Sequence, residues 1–206
     1  MTPWLELEQG LSDLAEGQPV TDFPGLLTRA RRIGVAHSAI FLRIVTARPG
    51  ARRYRVSPEL DMDELAHDPG VFAYIVRQMV VLFPDLEKWG APRTNLPEEL
   101  LRRHGLTVDA LCGMRHLTQA PRAFHEMMHD LANLAWRFYQ NGVAKLTQAA
   151  RHIPSEGVGR VDRILDGYKS CLQRIEEAEF APVTLEGIAA ERCGRDDPSR
   201  GGGTPA

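Results

Sequence analysis

Residues 77–106, RQMVVLFPDLEKWGAPRTNLPEELLRRHGL, decide the fold. An apolar helical run reaches Phe83 and then meets an acidic turn that carries Asp85, Glu87 and Trp89. Pro84 has no amide hydrogen to donate, so it ends or kinks that helix. After a proline-bounded linker, residues 96–104 read as a short helix, and Gly105 stops it because glycine takes the left-handed conformation that closes helices.

The same helical spacing extends outward in both directions, and no window shows a sustained period-two alternation of β-branched residues. The expected fold class is therefore all-α. Thr2-Pro3 opens a helix over residues 4–15, and Thr21 or Asp22 caps a longer one from Phe23 to about Val45. Asp61 to His67 reads as a helical turn, after which Asp68-Pro69-Gly70 starts the apolar helix over residues 71–83. A further short helix is expected over residues 108–113.

Pro121 opens the longest helix, which reaches about Ala150 with Phe124, Met128, Leu131, Ala135 and Phe138 on one stripe. Pro154 and Gly157 mark a break. The last strong helix, over residues 158–178, places Val161, Leu165, Tyr168, Leu172 and Ile175 on one arc. Residues 1–192 form one expected domain, and residues 193–206, CGRDDPSRGGGTPA, form an expected disordered tail because they lack the apolar content to pack.

A chain of 206 residues with 43% hydrophobic content buries one good core. Its 25 basic and 27 acidic side chains leave a formal charge of -2, so no global field steers nucleic acid to it. Cys112, Cys171 and Cys193 are odd in number and widely spaced, which argues against a disulfide framework and for a cytoplasmic location. The apolar run over residues 71–83 is interrupted by Arg77 and Gln78 and is too short for a membrane span, although peripheral membrane contact stays open.

Three phrases together resemble the squalene/phytoene synthase family. They are Ala30-Arg31-Arg32-Ile33, the stretch over residues 77–106 with its LPEELLRRHGL, and residues 168–176, YKSCLQRIE, followed by Phe180 and Thr184-Leu185-Glu186. The resemblance spans about residues 5–188. It implies an isoprenoid-synthase-type helical bundle around an apolar cavity, shortened at its N-terminus because the helix with the family's first DxxxD motif has no counterpart here.

Family members join two prenyl diphosphates head to head, with Mg2+ held by aspartates at spacing four on a shared helix face. Aligning LPEELLRRHGL without gaps puts Pro84 and Lys88 at the second pair of aspartates, Arg77 at the family's glutamine, Val80 at its asparagine and Phe83 at its arginine. A one-residue slide recovers Gln78 and Asp85, and Asp85 with Glu87 are the carboxylates left to hold Mg2+. Arg77, Gln78, Arg93 and Tyr168 are the substrate-binding candidates. The resemblance implies a prenyl diphosphate or apolar isoprenoid ligand, and either a pseudoenzyme or partner subunit, or an active transferase completed by Asp85 and Glu87 or by a second chain. A protein partner or second copy is the expected cover for the missing helices.

A competing motif lies in Phe124-His125-Glu126-Met127-Met128-His129-Asp130. HExxH presents His125 and His129 to one zinc ion while Glu126 activates bound water, with Glu156 the nearest third ligand. The plainer reading is two partly exposed histidines on an amphipathic helix. His37 is a further ligand contact if its helix lines a cavity, and Arg48, Arg52, Arg53 and Arg55 form a basic linker.

Overall fold

The computed structural model describes residues 2–48, 56–87 and 94–195, with no side-chain description for Glu87 or residues 192–195. The described residues are helical and contain no strand element. In order the helices are α1 (Pro3–Ala15), α2 (Phe23–Ala30), a π-helical segment (Arg31–Val35), α3 (Ala36–Thr46), α4 (Met62–Val80), α5 (Leu82–Glu87), α6 (Glu98–Arg103), α7 (Val108–Met114), α8 (Arg122–Ala149), α9 (Ser155–Glu177) and α10 (Pro182–Arg195).

The core is built around α4, which packs against α8, α3, the π-helical segment, α9 and α10. Its Phe72, Ile75, Val76 and Met79 are almost wholly buried. A helix apolar on nearly all sides belongs at the centre of a bundle, and this one is surrounded.

That central position overturns the expected break at Asp68-Pro69-Gly70. The three residues lie inside α4, which Asp61 opens by accepting from the amides of Asp63 and Glu64 at 3.0 and 3.1 Å. Pro69 is tolerated where α8 offers a glycine: a methyl group on Gly142 would lie 3.0 Å from the Pro69 ring. Asp68 is buried and held by Lys145 at 2.9 Å and His67 at 3.0 Å. Each apparent helix breaker is therefore matched to a partner, which is how tertiary packing overrides local propensity.

Pro84 acts as its chemistry requires. The α4 helix ends at Val80, whose carbonyl is the i-4 partner that the Pro84 ring displaces, and α5 restarts at Leu82. Beyond Gly105, whose φ is +66°, the amide of Leu106 donates to the carbonyl of Leu101 at 2.9 Å and Gly105 to Arg102 at 3.1 Å. These two bonds are a Schellman stop, and Leu101 and Leu106 are both buried beside it.

Two elements differ from the sequence expectation elsewhere. The helix from Phe23 to Thr46 is continuous but widens into a π-helical turn at Arg31–Val35. Helix α10, which follows the Phe180-Ala181 corner, buries Leu185, Ile188 and Ala189 and runs to Arg195; residues 196–206 of the expected tail lie outside the described residues. No helix among the described residues is long and apolar enough to cross a membrane.

Candidate functional site

The three phrases noted in the sequence first act as scaffold. In Ala30-Arg31-Arg32-Ile33, Ala30 and Ile33 enter the core, while Arg31 pairs with Glu6 at 3.3 Å and Arg32 with Asp13 at 2.5 Å, fastening α1 across the π-helical turn. The Gln9 amide also donates to Asp13, and this bond, with help from Arg32, holds the Asp13 carboxyl below its usual range. In residues 168–176, Arg174 reaches both carboxylate oxygens of Glu191 on α10, at 2.9 and 3.1 Å. Glu176 accepts from the Trp136 indole on α8 at 3.0 Å. Arg115, at the end of α7, is paired with Glu186 of α10.

An apolar cavity of about 390 Å³ lies between α1, the π-helical turn, α3, α4 and α9. Phe41, Leu42, Ala73 and Leu165 form apolar wall, and Leu11 and Ile164 lie on the exposed side between α1 and α9. Two of the substrate-binding candidates, Arg77 and Tyr168, are on its lining, and so is His37. Gln78 is not: it is buried on α4 and is not among the lining residues. Arg93 lies outside the described residues.

A polar network joins α2, α5 and the 94–97 segment. The buried Arg29 guanidinium donates to the Gln18 carbonyl at 2.8 Å and to the Asn95 side-chain oxygen at 3.1 Å. The Asn95 amide in turn donates to Asp85 at 3.1 Å. Tyr74 lines the cavity with its ring, while its hydroxyl is buried and has no hydrogen-bond partner among the described residues. Burial raises the Tyr74 pKa, against the opposing pull of Arg29 and Arg77. Sequence reasoning missed Arg29, Tyr74 and Asn95; no spacing signal marks them, because three separate segments meet there.

The carboxylates proposed for Mg2+ are placed as follows. Asp85 stands on α5 and is engaged by Asn95, and Glu87 ends α5 with its side chain outside the described set. No group of three or more His, Cys, Asp or Glu side chains suited to a metal ion occurs among the described residues.

The zinc candidates lie on α8, outside the cavity lining. The His125 and His129 rings are nearly parallel, 6.4 Å apart, and both meet the Phe180 ring edge to face. His129 contacts the Asn133 amide at 3.0 Å. Glu126 is bonded to Arg122 at 2.8 Å, and that bond holds its carboxyl below the usual range. Glu156 forms no metal-suited group with the pair.

No family model matches the chain, and no curated protein matches it in sequence. Among solved structures it is similar to squalene synthase HpnC from Alicyclobacillus acidocaldarius, with a TM-score of 0.68 and 14% sequence identity over 87% of this chain. The chain spans 60% of the length of that protein. The all-α fold of this chain is thus the isoprenoid-synthase-type fold of a squalene synthase.

Proposed function

We propose that this protein is an isoprenoid-binding relative of the squalene/phytoene synthases that has lost independent catalysis and acts as a pseudoenzyme or partner subunit. The observation that carries the reading is the 390 Å³ apolar cavity in a squalene-synthase-like fold. Ligand sites of this size are lined mainly by apolar groups with a few polar ones, which is the composition found here.

In the family the metal neutralises diphosphate charge and helps the leaving group depart. Here Pro84 and Lys88 occupy the positions of the second aspartate pair, and the Asp85 carboxylate is already bonded to Asn95. No step through magnesium is derived for this chain. What its own residues do is bind: Phe41, Leu42, Ala73 and Leu165 exclude water from a hydrocarbon chain, and Arg77 and Tyr168 offer polar contact at the cavity's edge. The exposed Leu11 and Ile164 lie where a second chain would complete the wall.

The reading is tested with purified protein, farnesyl diphosphate and magnesium. Saturable binding of the isoprenoid without diphosphate release supports it. Absence of any isoprenoid binding overturns it, and so does magnesium-dependent diphosphate release that Asp85→Ala abolishes.

A further inference from the structure

Helix α1 supplies one wall of the cavity through Leu7 and Leu11, yet it is seated on the bundle mainly by polar contacts. Its buried residues are Gly10 and Asp13, while Leu7 and Leu14 are half-buried and Trp4, Leu5 and Leu11 are exposed. Spacing explains the seat: Glu6, Gly10 and Asp13 recur at i, i+4 and i+7, so they fall on one narrow stripe of the helix. That stripe rests on the π-helical turn, where a methyl group on Gly10 would lie 2.7 Å from Ile33. A glycine lets backbones approach but buries little apolar surface, so this footing adds little hydrophobic attachment.

Charge fastens the stripe. Arg31 reaches Glu6 at 3.3 Å and Arg32 reaches Asp13 at 2.5 Å, with Gln9 donating to Asp13 at 2.8 Å. The Arg31 and Arg32 side chains are 67% and 41% exposed, so salt weakens both pairs. Leu5, Gln9 and Ser12, on the flank opposite Leu7 and Leu11, are exposed and line an open groove.

Beyond Gly17 the chain is held differently. Helix α1 stops in a Schellman arrangement, with the Gly17 amide donating to Leu14 and the Gln18 amide to Asp13, each at 3.1 Å. From Gln18 onward the backbone is tied down. The Gln18 carbonyl accepts from buried Arg29, and the Val20 and Thr21 carbonyls accept from the amides of Glu98 and Glu99 at the start of α6. A lightly seated helix thus meets a firmly held segment at Gly17.

On the reading of the cavity as an isoprenoid site, we infer that α1 is its lid, hinged at Gly17 and latched by the Asp13–Arg32 and Glu6–Arg31 pairs, and that release of this latch admits and discharges ligand. Lifting the helix withdraws Leu7 and Leu11 from the lining and opens the cavity on that side. Elements with few buried apolar contacts open locally without global unfolding, so α1 leaves while α4 and α8 stay packed.

Amide hydrogen exchange and line-shape analysis of farnesol titrations, both read by NMR on the full chain and on R32Q, test the lid. Farnesol is uncharged, so the lost arginine charge does not steer it. The amides of residues 7–15 are expected to exchange as one unit, at least about tenfold faster than those of buried α4, and added salt speeds them. R32Q speeds α1 exchange about tenfold more, the scale of one charge-assisted hydrogen bond, and leaves α4 and α8 unchanged. It raises the association and dissociation rates of farnesol together and shifts Kd by less than about threefold, because a lid gates both directions. Exchange in α1 as slow as in α4, or fraying from Pro3 that leaves Gly10 and Asp13 protected, overturns the lid. A rise in dissociation alone in R32Q makes α1 a fixed wall and also overturns it. Farnesol binding with α1 exchange unmoved by salt and by R32Q removes the lid and leaves the isoprenoid reading standing; no farnesol binding removes both. Circular dichroism checks that R32Q folds, and the salt series on the unaltered chain decides by itself, since α1 exchange independent of salt overturns the latch.

Discussion

Gly34 and Gly70 face each other where the π-helical turn crosses α4, so close that a methyl group added to Gly70 would lie 2.6 Å from the Val35 Cα and 2.7 Å from the Gly34 carbonyl oxygen. The contact brings two helix backbones together beside the cavity that both helices line. π-Helical turns place backbone out of its usual register, and here the displaced turn carries Gly34 onto α4.

Replacing Gly70 with alanine tests that packing. Helix propensity alone favours alanine by about 1 kcal/mol, whereas overpacking against backbone that cannot move aside costs about 1–3 kcal/mol or more. Packing should win, so Gly70→Ala lowers the urea midpoint. A higher midpoint contradicts the close approach.

Gly105 is a glycine for a different reason. Nothing lies within 4 Å of a methyl group placed there, yet its φ is +66°. Gly105→Ala therefore destabilises through backbone conformation alone, by about 1 kcal/mol, and Gly105→Asn by less, because asparagine tolerates the left-handed region. Thermal denaturation of the two variants checks the order, and equal losses contradict it.

Tyr74→Phe removes a hydroxyl that has no hydrogen-bond partner among the described residues and is sealed from solvent. The change should be neutral or stabilising by about 1 kcal/mol, since an unpaired buried polar group costs more than it contributes. Burial raises the Tyr74 pKa from its ordinary 10.0. Its contribution is thus fully present below pH 10.0, and as pH rises above that value the unfolded chain ionises while the folded one keeps its proton. Alkaline loss of stability should be shallower in Tyr74→Phe; a steeper loss, or a large drop in stability at neutral pH, contradicts the burial argument.

Ala73→Trp tests the cavity itself. Ala73 lines it, so an indole there occupies the volume otherwise available to ligand. Isoprenoid binding should fall by tenfold or more while the helical circular dichroism spectrum is retained. Unchanged binding in a folded variant places the ligand elsewhere.

The fold was legible because the phrases that mark it are scaffold. Ala30 and Ile33 enter the core, Leu101 and Leu106 flank the Gly105 stop, and Arg174 and Glu176 tie α9 to its neighbours. Asp68-Pro69-Gly70 misled because its breaker chemistry is answered by Gly142, Lys145 and Gly34, which are distant in sequence. The candidate site was legible only in part. Arg77, Tyr168 and His37 come from helices whose faces a periodicity argument can project, and they meet at one cavity. Arg29, Asn95 and Asp85 belong to a network formed only when α2, α5 and the 94–97 segment come together, and Tyr74 on α4 feels its charges without bonding to it, so no local pattern announces it.

The most direct test of the central claim is the fate of farnesyl diphosphate bound to the pure chain in excess magnesium, followed by phosphate analysis and extraction of the hydrocarbon product. The account predicts bound ligand recovered intact with no diphosphate released. Magnesium-dependent release of diphosphate accompanied by a joined C30 product contradicts it.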